Sequence, residues 1–436
     1  MRGAAAYPVW LPTQYPREAV MAEAARDIHE PARRVPVIGD YDVVVAGGGI
    51  AGVAAAVAAA RNGASVCLLE RGFALGGLAT LGNVVVWLPL CDGRGRQVIG
   101  GLPEELLLLS VADLRVDNAA ARFIGPPACW RPGGDLAERC RHRYLAEFNP
   151  ASYMLALEEL ALSCGVSLAY DTRVAAVRGQ AKQLTHVIVE SKSGRSALAC
   201  RAVVDATGDA DVCFLAGEPT ESLASNVLAG WFYYLVGDGL HLCPLSRPYS
   251  PQALTDDVPG PFFRGDDAAS VTAHTIGTHA LMRERLAELR AQQPDADVQP
   301  VALPAVACLR MTRRLVASFS LGAAHVHQWF DDAVGLTGDW RQAGPVYAVP
   351  WRALCAVEHT NLLVAGRCLS ADRTIWDATR AIPTCALTGA AAGTGAALAV
   401  RDTGGDVRNL HIGRLQDQLR QQGFRLDSAL ARPALP

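Results

Sequence analysis

The chain has 436 residues, half of them hydrophobic and 19% charged, which excludes a disordered chain and exceeds what one compact core holds. Its formal net charge is −3 and its pI about 6.4, so there is no global basic field to hold nucleic acid. Twelve cysteines stand singly from Cys67 to Cys385, with no Cys-x-x-Cys pair and no zinc or iron–sulfur spacing; they read as small hydrophobes of a protein kept in a reducing cytoplasm, with no metal site.

Residues 1–39 read as an N-terminal arm: Pro8, Pro12, Pro16, Pro31 and Pro36 stand among charges, without the apolar run of a signal peptide. Tyr41–Ala46 (YDVVVA) predicts a strand buried on both faces, as a parallel sheet requires. Gly47–Gly52 predicts a turn, Ala51–Asn62 an Ala-rich helix closed by Gly63, and Ser65–Glu70 a second strand, together one βαβ unit. Residues 72–150 are rich in Gly, Pro and Arg and show little regular period. Pro150–Cys164 has helical spacing. Short strands are expected at Ser167–Ala169, Arg173–Val177, Thr185–Glu190 and Ser196–Ala199, then an apolar one at Ala202–Ala206. Further on come a helix at Thr278–Gln292, a buried strand at Asn361–Ala365, a Gly/Ala helix near Pro383–Val400 and a polar helix near Ile412–Gln422. The apolar stretches Val43–Ala60 and Ile382–Val400 approach membrane-spanning length, but small residues dominate them, and they are better explained as buried nucleotide-binding elements.

The strongest motif is Gly47-Gly48-Gly49-Ile50-Ala51-Gly52, a G-x-G-x-x-G between a strand and a helix. Gly47 permits the tight turn, Gly49 lets a pyrophosphate approach the backbone, and Gly52 lets helix and strand pack closely. The helix N-terminus then offers free N–H groups to phosphates, and Glu70, ending the second strand, suits ribose hydroxyls. Only one such motif precedes an acid-ended strand, so no second nicotinamide module is visible. Three later features favour FAD over NAD: Arg71 followed by Gly76-Gly77, Ala206-Thr207-Gly208-Asp209 at a strand end, and Ala365-Gly366-Arg367 paired with the helix after Pro383. An extended flavin needs a second strand and helix returning to it. Small residues from Thr384 through Gly389 to Gly393 would bring unshielded N–H groups against the flavin ring, unless they serve only close packing.

On Tyr41–Arg71, Leu75–Thr80 (LGGLAT), Asp205–Asp211 (DATGDAD) and Leu362–Gly395, the chain resembles the FAD-dependent oxidoreductases of the wider glutathione-reductase-like flavoprotein superfamily. The resemblance spans nearly the whole chain from residue 36. It implies an α/β, Rossmann-type FAD-binding domain (40–217 and 346–404), an inserted mixed α+β substrate domain (218–345), and a C-terminal helix and tail (405–436). It also implies noncovalent FAD, with the Gly-rich turn and Glu70 at the ADP part and the Val174 backbone by adenine. Gly77, Leu78, Ala79 and Thr80 would lie near the flavin, and Gly366, Arg367 and Arg380 at its ring end. Two departures stand out. The family often carries Arg-Glu-Ser-Arg-Arg where this chain has Arg310-Met311-Thr312-Arg313-Arg314, and Gly338-Asp339-Trp340 replaces a family-like histidine.

Arg380 either anchors an anionic substrate or pairs with Asp372 or Asp377. Cys385, in the first turn of the last long helix, is either a low-pKa thiol touching flavin or substrate, or an inert buried one. Arg310, Arg313 and Arg314 either line a substrate site or cross-link the fold. His325 and His327 would face one way on a strand. The expected function is a dehydrogenase or oxidase passing a hydride from a C–OH or C–N bond of a polar small molecule to FAD; alternatives are a flavin monooxygenase using NAD(P)H and oxygen, or a non-catalytic flavin-binding partner. Neither nucleic acid nor a membrane is an expected partner, and a homo-oligomer is compatible with the sequence.

Overall fold

The β-branched run Val43–Val45 has no polar face to offer solvent, and all three residues are fully buried in the middle of the largest sheet. The computed structural model describes residues 28–249 and 260–434. The readings of Pro8, Pro12, Pro16 and the absent signal peptide lie outside those residues. Residues 28–34 belong to a separate unit with an exposed Arg33–Glu30 ion pair of 2.7 Å; Val35–Pro436 is the unit described below.

The sheet runs Ser167–Ala169, Val66–Leu69, Val37–Ala46, Gly194–Asp205, Gln183–Ser191, Arg173–Gln180, with Leu362–Val364 also paired to Gly194–Asp205. The first four strands and Leu362–Val364 pair in parallel; Gln183–Ser191 pairs antiparallel on both sides. This is a Rossmann-type parallel sheet extended by an antiparallel hairpin. The two strands expected at Ser196–Ala199 and Ala202–Ala206 are one, Gly194–Asp205. Arg201, the charged residue between them, is exposed and ion-pairs with Asp42 at 3.1 Å, so it leaves the ladder intact.

The helices Ile50–Arg61 and Ile382–Thr403 pack on one another through small residues. A Cβ on Gly389 would lie 2.1 Å from the Ala51 carbonyl oxygen, and one on Gly393 2.0 Å from that of Ala55. The backbones therefore touch, a proximity that larger residues forbid. Ile382–Thr403 is long and apolar enough to cross a membrane, yet 89% of its apolar window is buried inside the protein. Val43–Ala60 is not one helix but strand, turn and helix.

Between residues 218 and 345, Ala229–Val236 is flanked by Gly239–Ser246 and Val298–Ala302, and the helix Ala268–Gln292 covers Phe232 with Met282, Leu286 and Leu289. That helix starts ten residues before the expected Thr278. Asp267 caps it by accepting from the Ser270 N–H at 2.7 Å, and Val271, Thr272, Thr275 and Gly277 obscure the apolar period of its first half. A helix at Leu102–Ser110 was not anticipated, although Pro103 and the first-turn acids Glu104 and Glu105 signal one.

Candidate functional site

The Gly-rich turn distributes its three duties among separate glycines. Gly47 has φ +100, and a Cβ there would lie 2.5 Å from the Ala206 carbonyl oxygen. Gly52 faces back into the turn, where a Cβ would fall 1.7 Å from the Gly47 oxygen. Gly49 is extended, and its Cβ position has nothing within 4 Å. It borders an open cleft with the free N-terminus of Ile50–Arg61 beside it. That cradle, which a Cβ would fill, fits the pyrophosphate of a dinucleotide.

Glu70 closes the turn from the second strand. Its buried carboxylate accepts from the Gly48 N–H at 2.7 Å and the Gly72 N–H at 2.6 Å, one on each oxygen, leaving lone pairs for the cleft. The Gly76 N–H donates to the Gly48 carbonyl at 2.8 Å, which pins the short 3₁₀ turn Gly77–Ala79 alongside.

One cleft connects these parts. From the expected set it is lined by Gly47, Gly49, Ile50, Ala51, Glu70, Arg71, Gly77, Leu78, Ala79, Val174, Ala206, Thr207, Gly208, Gly366, Arg367, Arg380 and Cys385. Thr172, Arg173, Asp211, Val306, Ala307, Leu309 and Ile382 line it too and were not anticipated. Asp211 had a signal, since it ends the same DATGDAD run; the loop 306–309 had none, because only tertiary contact brings it there.

Several expected residues stand elsewhere. Gly52 packs against the turn, and Thr80 is fully buried with its hydroxyl donating to the Leu75 carbonyl at 2.6 Å, so it braces the loop. Gly389 and Gly393 face the Ile50–Arg61 helix, and only the start of their own helix, at Ile382 and Cys385, reaches the cleft. Arg310 does not line the cleft, although its neighbour Leu309 does.

Arg367 borders the cleft, but its guanidinium is spent on the protein: it donates to Asp209 Oδ1 at 2.7 Å, to the Leu309 carbonyl at 3.1 Å and to the Gly208 carbonyl. Arg380 pairs with Asp377, the structural partner anticipated for it, and still borders the cleft. Cys385 is not a low-pKa thiol. Burial pushes it up to about 12 against the opposing charges of Arg367 and Arg380, and its Sγ donates to the Arg380 carbonyl at 3.2 Å. Arg313 binds the Asp209 carbonyl at 2.8 Å and Asp211 at 2.6 Å, and Arg314 pairs with Glu221; both cross-link the fold. His325 ends a 3₁₀ turn and accepts from the Gly322 N–H at 2.9 Å, while His327 (φ +61) bonds the Ala431 carbonyl at 2.8 Å. The two histidines share no strand face.

Two carboxylates of the DATGDAD run carry raised pKa values. Asp205 is fully buried and lifted by desolvation, opposed by the Cys213 and Thr207 N–H groups and the Thr207 hydroxyl. Asp211, at the cleft wall, is raised from 3.8 to about 6, by burial first and then by the charges of Asp209 and Asp205, with Arg313 and Arg71 opposing.

Against known families, the FAD dependent oxidoreductase family matches residues 42–226 and 256–419. No curated protein sequence matches the chain. Among solved structures, a geranylgeranyl bacteriochlorophyll reductase-like protein from Thermoplasma acidophilum is 15% identical, with 90% of this chain and 88% of that one covered and a TM-score of 0.45. The p-nitrophenol 4-monooxygenase PnpA from Pseudomonas putida DLL-E4 is 14% identical, over 90% of this chain and 88% of that one, with a TM-score of 0.42. The anhydrotetracycline hydroxylase OxyS from Streptomyces rimosus is 15% identical, over 87% of this chain and 65% of that one, with a TM-score of 0.41.

Proposed function

Because the chain belongs to the FAD-dependent oxidoreductase family, and is therefore a flavoenzyme, we propose that it works as a dehydrogenase or oxidase on the C–OH or C–N bond of a polar small molecule. The observation that carries this reading is the lining of a single cleft, which takes in Glu70 and the Gly-rich turn as well as Arg380 and the first turn of Ile382–Thr403 at Ile382 and Cys385. Glu70 would hold the ribose of the ADP half, the Gly47–Ile50 backbone the pyrophosphate and the Val174 backbone the adenine. Gly77–Ala79, Ala206–Gly208 and Gly366 would border the ring end. FAD, when bound, supplies an acceptor for a hydride. Arg380 and the N-terminus of Ile382–Thr403 would place positive charge at that end, where negative charge develops on reduction. Leu309, Val306 and Ile382 give the same end apolar walls that exclude water.

Two experiments address the reading. Purified protein is expected to be yellow and to release FAD on acid precipitation. Anaerobically, a panel of hydroxy acids, amino acids and polyols is expected to contain a compound that bleaches the flavin, whereas NADPH leaves it oxidised. Rapid bleaching by NADPH alone would overturn the proposal in favour of a monooxygenase. Asp211 supplies a separate check. Its native carboxyl binds a proton more tightly than the unfolded chain's, so as pH rises from 3.8 to about 6 its ionisation removes stability. The melting temperature of FAD-free Asp211→Asn, relative to wild type, is therefore expected to be higher at pH 7 than at pH 4. A difference that stays constant with pH would refute the assignment.

A further inference from the structure

We infer that Arg310, Arg380 and the Tyr249 hydroxyl form a subsite for the carboxylate of an anionic substrate behind the cleft wall that Leu309 and Arg380 line; its place at the ring end rests on the function proposed above. Three segments that are remote in sequence converge to make it: the chain following Gly239–Ser246, the loop before Arg313–Leu315 and the end of the helix Arg373–Thr379. Each contributes a buried hydrogen-bond donor with no partner among the described residues, namely Tyr249 Oη, Arg310 Nη1 and Arg380 Nε. Few buried donors in a folded protein go unanswered, and the stacked Arg310–Tyr249 pair, with the Arg380 charge acting on both, calls for an acceptor.

The geometry holds these groups in place. The Arg310 guanidinium lies over the Tyr249 ring at 4.6 Å, and its Nη2 donates to Ser246 Oγ at 3.0 Å. Its backbone N–H donates to Asn226 Oδ1 at 2.6 Å, so the base of the side chain is anchored as well. Leu309, the preceding residue, lines the cleft, as does Arg380.

Charge decides what the acceptor is. Burial lowers the pKa of Arg310 and the nearby charge of Arg380 lowers it further, whereas Asp377, which already pairs with Arg380, opposes this. Two guanidinium groups thus share one carboxylate. A water molecule could accept from the idle donors but would leave the second positive charge unanswered. A single carboxylate does both, and a planar guanidinium fork matches its two oxygens. Arg373 also faces Tyr249 but has an interaction of its own.

The probe is benzoate, which cannot be dehydrogenated, titrated into the FAD-loaded protein while the visible flavin spectrum is followed. Benzoate is expected to give a saturable spectral change, with neutral benzamide binding about tenfold more weakly or worse. Arg310→Gln is expected to weaken benzoate by at least about tenfold at full FAD content, Arg310→Lys by less, and Tyr249→Phe by several-fold. Tyr249→Phe removes a single oxygen, so it keeps the test available if Arg310→Gln fails to fold. Unchanged benzoate binding in Arg310→Gln or Tyr249→Phe would overturn the inference. So would loss of FAD from either folded variant, since the donors would then serve the cofactor. Benzoate binding needs no turnover. If benzoate fails while an alcohol or amine bleaches the flavin, only the subsite falls; if benzoate binds with this residue dependence while NADPH is the sole reductant, only the hydride-donor reading falls.

Discussion

Gly389→Ala is expected to destabilise the protein by about 3 kcal/mol or more, whereas Gly49→Ala should leave it at least as stable as wild type but with a much weaker hold on FAD. The chemical change is the same single methyl group. At Gly389 that methyl would lie 2.1 Å from the carbonyl oxygen of Ala51, a backbone atom that no rotamer change can move. The helices Ile50–Arg61 and Ile382–Thr403 would have to separate, and most residues of both are buried. At Gly49 the methyl would meet nothing within 4 Å, and the backbone is extended, so alanine is conformationally acceptable there. The unfolded chain loses some freedom, so stability is unchanged or rises by up to about 1 kcal/mol. The same methyl projects where the pyrophosphate would lie, and FAD is expected to bind about 100-fold more weakly, about 3 kcal/mol. Urea unfolding midpoints and FAD content of the purified variants measure both effects. A yellow Gly49→Ala protein with wild-type FAD affinity would remove this glycine from the cofactor site, and a Gly389→Ala protein of wild-type stability would mean the helices can separate cheaply.

Arg367→Met is expected to cost about 3–5 kcal/mol, because it strands Asp209 as a buried carboxylate. Asp209 is only 5% exposed, and besides Arg367 it accepts from the Thr312 hydroxyl at 2.6 Å. Methionine fills much of the arginine's volume, so packing changes little and the charge dominates. Adding Asp209→Asn should recover a large part of the loss, since it removes the unpaired charge. The measurement is a double-mutant cycle on urea stability. If the double variant is no better than Arg367→Met, the cost comes from the arginine's bonds to the Gly208 and Leu309 carbonyls rather than from the ion pair.

The strand–turn–helix–strand part of the candidate site was legible because its parts are contiguous. Strand, glycine turn, helix and acid-ended strand occupy residues 41–70, and each is written in a local pattern: a β-branched run, three glycines at set spacing, an alanine run and Glu70. The ring end was less legible. Arg367 and Arg380 were found by sequence, but the use of Arg367 was not, and the pairing of Arg380 with Asp377 was one of two open readings. Whether an arginine is free or spent depends on what lies opposite, and Asp209 is 158 residues from Arg367 along the chain. The glycines of the last long helix show the same limit: small residues at close spacing suit a ligand or another helix equally, and only the position of Ile50–Arg61 decided between them.

By itself, then, the sequence determined the fold class, the dinucleotide turn and its orientation, because these follow from backbone conformational preferences and from apolar periodicity over a few residues. Tertiary structure decided which strands merged, which arginines kept an idle donor and where Tyr249 met Arg310 and Arg380. Desolvation and charge pairing are set by neighbours brought together through space, and no local pattern in the chain encodes them.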